Sequence, residues 1–395
     1  MKWIHAGALV AAMLLGATLW GPVLPSAAVA QAAPSLPAPE RFLFWTPAEQ
    51  VVGYRSIEKI FPTRLVRRAG AVATLPRSPA AFDVAYAFGG QAMNVARFMA
   101  RNRVSGLIVM QHGRILLERY GLGRTPGDRW TSFSVAKSVT STLIGAAIHD
   151  GSIAGLDAPV TRYMPELSGT AYDGVTVGDL ITMRSGVKWN EDYADPKSDV
   201  ARFAVQPVTA DGVDPIESYM ARLPRAHKPG TVFHYDTGET DLAGLLVARA
   251  TKTPLADYLS RTVWSKIGAE QDAVWMMDRA GHELGGCCLS MTLRDYARFG
   301  RFFMQGGGGV LPAGWVEKAT SAQVATGIPG IGYGYFWWIG QGGTYAAQGI
   351  FGQEIYLDPK RDLVVAINSA WGGADDDADW ESMAAFTAAV SRAVR

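Results

Sequence analysis

Between Thr131 and Gly151 the apolar residues Val135, Val139, Leu143, Ile144, Ala147 and Ile148 recur at helical spacing and leave Ser134, Lys137, Ser138 and Ser141 as one polar stripe. Thr131 to Ser134 offer N-cap side chains and Gly151 a C-terminal stop. The pattern predicts a helix with Ser134 in or near its first turn and Lys137 one turn later. Ahead of it, residues 104–110 and 114–120 are apolar runs joined by Gln111-His112-Gly113, a hairpin signal, and a helix is predicted near 93–102.

Beyond Gly151 the apolar runs are short and broken by Pro and Gly, which predicts short helices, and residues 189–215 read as a long polar loop of the kind that forms a lid or pocket wall. Helices follow at 240–250, 255–266 and 294–304. The last third turns to period-2 patterns at 333–339, 344–348, 353–357 and 363–367, then to an amphipathic helix at 380–394. A hairpin, a helical middle and a return to strands describe an α/β (α+β) chain: an antiparallel sheet flanked by helices, with an inserted helical domain. The expected division is a leader at 1–30, an extension at 31–100 that packs on the core, an α/β domain from 101–133 with 285–395, and a mainly helical domain at 134–284.

Composition narrows the partners. At 395 residues and 48% hydrophobic the chain can bury a large core, and a net charge of +1 gives no reason to expect nucleic acid. Lys2, an apolar run from Ala6 to Ala17, and small residues ending Ala28-Val29-Ala30 read as a signal peptide cut before Gln31. The mature protein is expected to be exported, periplasmic or secreted, with no stable membrane anchor. Cys287 and Cys288 read first as two buried small residues and second as a vicinal disulfide; they cannot form a metal site alone. The acidic run Asp375, Asp376, Asp377 and Asp379 reads as a solvated helix N-terminus rather than a calcium loop, so no metal or cofactor is expected.

The candidate chemistry lies on the polar stripe. A serine hydroxyl is a weak nucleophile until a neighbouring base takes its proton, and an amine three residues along a helix shares its face. The helix N-terminus and desolvation both oppose a charge on Lys137, and so favour the neutral amine. The same spacing occurs at Ser56 to Lys59 and at Ser185 to Lys188, but Gly186 interrupts the latter and only Ser134 opens a long apolar helix. Tyr193 in Glu191-Asp192-Tyr193 is a candidate pocket residue, His234 a hydrogen-bonded structural histidine, and Trp337 and Trp338 candidate pocket walls.

Ser134-Val135-Ala136-Lys137, then Tyr235-Asp236-Thr237, then Gln348-Gly349-Ile350 before a strand, taken in that order, resemble the penicillin-recognising serine hydrolases: class C β-lactamases, DD-peptidases and related esterases. Leu180 to Val187, Phe233-His234-Tyr235 and Gly349 to Gln353 resemble the branch that contains 6-aminohexanoate-dimer hydrolase. The resemblance implies a β-lactamase/transpeptidase-like fold, Ser134 as the acylated nucleophile, Lys137 and Tyr235 as the proton-transfer pair, and the backbone N–H groups of Ser134 and Ile350 as the oxyanion hole. It also implies substrate contacts at Tyr193, Thr237, Gln348 and Gly349.

Two departures bear on substrate. Thr237 stands where the family usually has Asn, and Ala347-Gln348-Gly349 where it has Lys-Thr-Gly or His-x-Gly, the groups that hold a β-lactam. The expectation is a metal-free exported serine hydrolase acting on a small ester or linear amide. The alternatives are a β-lactamase or DD-peptidase, and a catalytically silent envelope-binding protein on the same scaffold.

Overall fold

A computed structural model describes residues 35–204 and 214–394. The leader with its cleavage point, and residues 205–213 of the polar loop, lie outside the described residues. Among the described residues no helix is long and apolar enough to cross a membrane.

An eight-stranded sheet forms the centre. Its strands are β1 (Val104–Gln111), β2 (Arg114–Tyr120), β3 (Val324–Ala325), β4 (Gly332–Tyr333), β5 (Trp338–Ile339), β6 (Tyr345–Gly349), β7 (Gln353–Asp358) and β8 (Leu363–Ser369). They lie in the order β2-β1-β8-β7-β6-β5-β4-β3 with every pair antiparallel. The five main helices are α1 (Val95–Arg101), α2 (Val135–His149), α3 (Thr237–Thr251), α4 (Leu293–Met304) and α5 (Asp377–Ala393).

Successive side chains of a strand point to opposite faces, and here both faces are covered. Leu107 and Val109 of β1, with Val365 and Ile367 of β8, join Val95 and Phe98 of α1 and Phe386 and Val390 of α5 in one apolar cluster. Ile108 and Met110, with Val364 and Ala366, join Val135 and Val139 of α2 and Leu293 and Tyr296 of α4 in the other. Double coverage explains why β1 reads as a continuous apolar run, and why Leu363 to Ile367 of β8 are all apolar and buried rather than alternating as the period-2 reading expects. Phe98 and Phe386 stack at 3.8 Å between ring centres; truncating one such buried ring to alanine costs about 3–5 kcal/mol.

The hairpin, the Ser134 helix and the last three long strands lie where the patterns place them. Three differences are seen, the first of them caused by a turn. Residues 333–339 form two short strands, because Gly334 to Trp337 make a turn in which Phe336 takes φ +56°. The part of the 31–100 extension at 36–66 carries regular elements for which no pattern is read: a 3-10 helix at Pro39–Phe44, short helices at Pro47–Gly53 and Ile57–Ile60, and a strand at Thr63–Val66. That strand pairs with Ala273–Met276, so the mainly helical middle carries a strand of its own. The acidic run opens α5, with the Asp376 carboxylate accepting from the N–H groups of Ala378 and Asp379.

Candidate active site

Ser134 is the N-cap of α2, yet its hydroxyl makes no capping bond. It faces Lys137 instead, with Nζ to Oγ at 2.9 Å. Lys137 is 1% exposed and has two further partners, Thr237 Oγ1 at 2.9 Å and the Gly286 carbonyl at 3.1 Å. Burial, the largest influence, pushes the Lys137 amine down from 10.5 to about 8, while the carboxylates of Glu191, Asp241 and Asp236 push the other way. The other two Ser-Lys spacings do not meet. Lys59 and Lys188 are exposed, and Ser185 gives its hydroxyl hydrogen to Glu239.

Tyr235 approaches from the loop that leads into α3. Lys137 Nζ lies 5.0 Å from its ring centre, and Trp338 stacks on the ring at 5.6 Å. Burial drives the phenol far above its ordinary 10, Glu191 adds to this, and a hydrogen bond with the Ser134 hydroxyl opposes it; the group therefore stays protonated near neutral pH. Trp338 thus steadies Tyr235. Trp337 is not a pocket wall: it is fully buried and stacks on Phe303 at 4.5 Å.

The edge of β6 closes the site from the other side. A Cβ on Gly349 would lie 2.7 Å from the Ser132 carbonyl oxygen and 2.8 Å from the Ser134 nitrogen, so only glycine lets the strand come this close. Among the described residues, neither the Ser134 nor the Ile350 N–H donates to another protein group. Each is flanked by a phenylalanine in the left-handed region, Phe133 at φ +43° and Phe351 at φ +58°. Their rings lie 5.2 Å apart, and Tyr54 packs on both. Phe42 stacks on Phe133 at 5.2 Å, and the Tyr54 carbonyl accepts from the Thr131 N–H. The buried Gln353 amide fills the turn after Ile350, donating to the carbonyls of Phe351 and Ser369.

Alternation along β6 decides the place of Gln348. Ala347 joins the α2 cluster and Gly349 faces Ser134, so the residue between them faces the opposite side of the sheet. There its amide donates to Glu354 at 2.8 Å. The expected substrate contact by the Gln348 side chain is therefore corrected, because the pleat turns it away from Ser134. The cleft beside Ser134 encloses about 490 Å³ of empty space, open solvent included. Its walls are mostly apolar, with Phe42, Leu43, Val200, Phe203, Met276, Leu284 and Ile350 around Ser134, Tyr193, Thr237 and Asp241. None of the described residues lining it is basic.

Glu191 is the residue beside Lys137 and Thr237 that sequence reasoning misses, since Glu191-Asp192-Tyr193 draws attention only to the tyrosine. Its carboxylate accepts the hydroxyl hydrogens of Thr237 and Tyr193, the Trp189 indole N–H, and the Thr237 N–H at 3.1 Å. His234 has the structural role read for it, with Nε2 2.7 Å from the Trp189 carbonyl. Cys287, at the cleft wall, is joined to Cys288 in a disulfide, which replaces the reading of two free buried residues. Asp214, Asp278 and His282 bring ligand-type atoms within 4.8 Å of one another. His282 Nδ1 lies 2.7 Å from the Asp214 carboxylate, and this contact, first among the causes, raises the ring to about 10.

The comparisons with known proteins agree with this geometry. The beta-lactamase family model matches residues 92–388. The 6-aminohexanoate-dimer hydrolase of Paenarthrobacter ureafaciens is 34% identical over 287 residues, 68% of this chain and 73% of that protein. Esterase EstB of Burkholderia gladioli is 31% identical over 181 residues, 41% of this chain and 44% of its own length. Among solved structures, the "Putative 6-aminohexanoate-dimer hydrolase from Bacillus anthracis" superposes with a TM-score of 0.77 at 23% identity, covering 90% of this chain and 95% of that one. Together they define a serine hydrolase of β-lactamase/transpeptidase-like fold. The chain belongs to the beta-lactamase family.

The contact between β6 and α2 gives a direct expectation. In Gly349→Ala the new methyl group meets backbone on the Ser134 turn, so kcat should fall about 100- to 1000-fold, as for loss of an oxyanion donor. Urea unfolding should move by no more than about 2 kcal/mol. Near-normal kcat would show that the strand edge does not position Ser134.

Proposed function

We propose that the protein is an exported hydrolase that cleaves esters or linear amides through an acyl-Ser134 intermediate. The observation that carries this reading is the 2.9 Å contact between the Ser134 hydroxyl and a buried amine whose pKa lies near 8. In acylation the Lys137 lone pair takes the Ser134 proton while Oγ bonds to the substrate carbonyl carbon. The carbonyl oxygen, now an anion, sits between the N–H groups of Ser134 and Ile350; each such donor is worth about 3 kcal/mol in the transition state. Collapse breaks the ester C–O or amide C–N bond, and the protonated Lys137, through the Tyr235 hydroxyl, returns the proton to the leaving group. Water then attacks the acyl carbon as the same pair takes its proton, the bond from that carbon to Oγ breaks, and the proton passes to Oγ, which releases the carboxylic acid and restores Ser134.

The cleft favours esters and linear amides over β-lactams. A β-lactam carboxylate wants a cation, whereas the described lining has none, and Ala347 stands where the family usually has a lysine or histidine. The walls suit an uncharged acyl group of modest length. Thr237 and Tyr193 line the cleft within reach of such a group, and Gly349 lets the β6 edge lie against the Ser134 turn beside it. Export is part of the same reading. It rests on the Lys2-led apolar run and on Ala28-Val29-Ala30, and it places the mature enzyme in the periplasm or outside the cell.

A fluorophosphonate should label the Ser134 peptide, and Ser134→Ala should lose at least about 10⁴-fold in p-nitrophenyl ester turnover. For the wild type, kcat/KM should rise tenfold per pH unit and level off above about pH 8, because the reactive form is the neutral amine. Nitrocefin should be turned over far more slowly than the ester. Undiminished turnover by Ser134→Ala, or nitrocefin as the best substrate, would overturn the reading. For export, the chain recovered from the periplasm or medium of an expressing bacterium should begin at Gln31; cytoplasmic retention with an intact Met1 would refute that part.

A further inference from the structure

We propose that Glu191 is a positioning residue that, by holding the hydroxyl hydrogen of Thr237, makes Lys137 direct its lone pair at Ser134. The inference rests on the acyl-Ser134 reading and adds to it the group that orients the base.

The available hydrogens fix the direction of each bond around Lys137. A threonine hydroxyl has a single hydrogen, and an ionised carboxylate has none to offer. The Thr237 hydroxyl must therefore donate to Glu191, and towards Lys137 it presents only lone pairs. The Gly286 carbonyl, 3.1 Å from Nζ, can likewise only accept. A neutral lysine amine has two hydrogens and one lone pair. Both hydrogens are taken by Thr237 and Gly286, so the lone pair is left for the third neighbour, Ser134 Oγ at 2.9 Å. Ser134 must then be the donor, which is the arrangement that proton abstraction requires.

Without the carboxylate this order is lost. A Thr237 hydroxyl free to turn can donate to Nζ, occupy the lone pair and leave Ser134 facing an N–H. Glu191 is itself held: the Trp189 indole, the Tyr193 hydroxyl and the Thr237 N–H fill the remaining acceptor positions of its carboxylate. The loop that forms the cleft wall is thereby tied to the base through one residue. A Gln at 191 would turn an NH2 group towards some of those donors, so it removes the charge and also breaks the acceptor set.

The charged groups facing Lys137 are Glu191 from the loop and Asp236 and Asp241 from the start of α3, with the Tyr235 ring alongside. Glu191→Gln removes the first and largest of these directly and lets Asp236 and Asp241, which Glu191 also raises, ionise more readily, so the pH profile reports the net loss of negative charge around Lys137. In Glu191→Gln, kcat for ester hydrolysis should fall about 100-fold. The acidic limb should shift to lower pH by about one unit, since a nearby anion that favoured the ammonium form is gone.

Thr237→Ser keeps the hydroxyl and should retain clearly more activity than Thr237→Val, which should lose as much as Glu191→Gln. The double variant should lose no more than either single one, because both act through one hydroxyl. Losses that multiply, an unmoved acidic limb in Glu191→Gln, or a change confined to KM would overturn the proposal. If Glu191→Gln does not fold, the Thr237→Ser and Thr237→Val pair decides, and equal activity of the two would be the contrary result. Fluorophosphonate labelling of wild-type Ser134 is the control. If the wild type is not labelled, the acyl-serine reading has failed; if it is labelled and the variants behave otherwise than stated, only the role of Glu191 has.

Discussion

A lysine amine buried against a serine hydroxyl at the start of a helix is the constraint on which the rest of the site depends. Burying an ammonium without partners is expensive, and a protein relieves it either by pairing the charge or by letting the group become neutral. Here both tendencies act. The carboxylates of Glu191, Asp236 and Asp241 favour the charge, and burial beneath Tyr235 and α3 opposes it more strongly. Burial raises the carboxyls of Asp236 and Asp241 in turn, so the cluster avoids holding every group charged together. The outcome is an amine that can exchange a proton near neutral pH.

Position matters as much as protonation, and the sheet supplies it. The Gly349 end of β6 presses on the Ser132-Phe133-Ser134 backbone, and Gln353 ties the following turn to the carbonyl of Ser369 on β8. The turns that carry the Ser134 and Ile350 N–H groups are thus joined to the buried strand β8. The aromatic set Phe42, Tyr54, Phe133 and Phe351 braces the same two turns from the side of residues 36–61. That segment precedes the family match at 92–388, and it supplies both a brace for the Ser134 turn and, through Phe42 and Leu43, a wall of the cleft.

Much of this was legible in the chain because the controlling patterns are local. The 3.6-residue period of α2, the hairpin of β1 and β2 and the runs of β6 to β8 can each be read from neighbouring residues. Gly349 and Ile350 were legible as a motif, and the Cβ clash explains why the motif needs glycine. What was not legible depends on partners distant in sequence. Gln348 reads as a substrate contact until the pleat is known, and Trp337 reads as a wall until Phe303 is found beneath it. Glu191 looks like an ordinary acidic loop residue until Thr237, 46 positions away, comes within hydrogen-bond distance. The split of residues 333–339 turns on one left-handed residue, Phe336, whose conformation no local composition signals.

The central claim is that Lys137 is a buried amine able to lose its proton near neutral pH, and it can be observed without substrate. Lysine labelled with ¹⁵N at Nζ, with Lys137 assigned by comparison with Lys137→Ala, would be followed by NMR through a pH titration. The account predicts a midpoint near 8, well below the ordinary 10.5. A Lys137 signal that stays protonated up to the ordinary lysine value would contradict it.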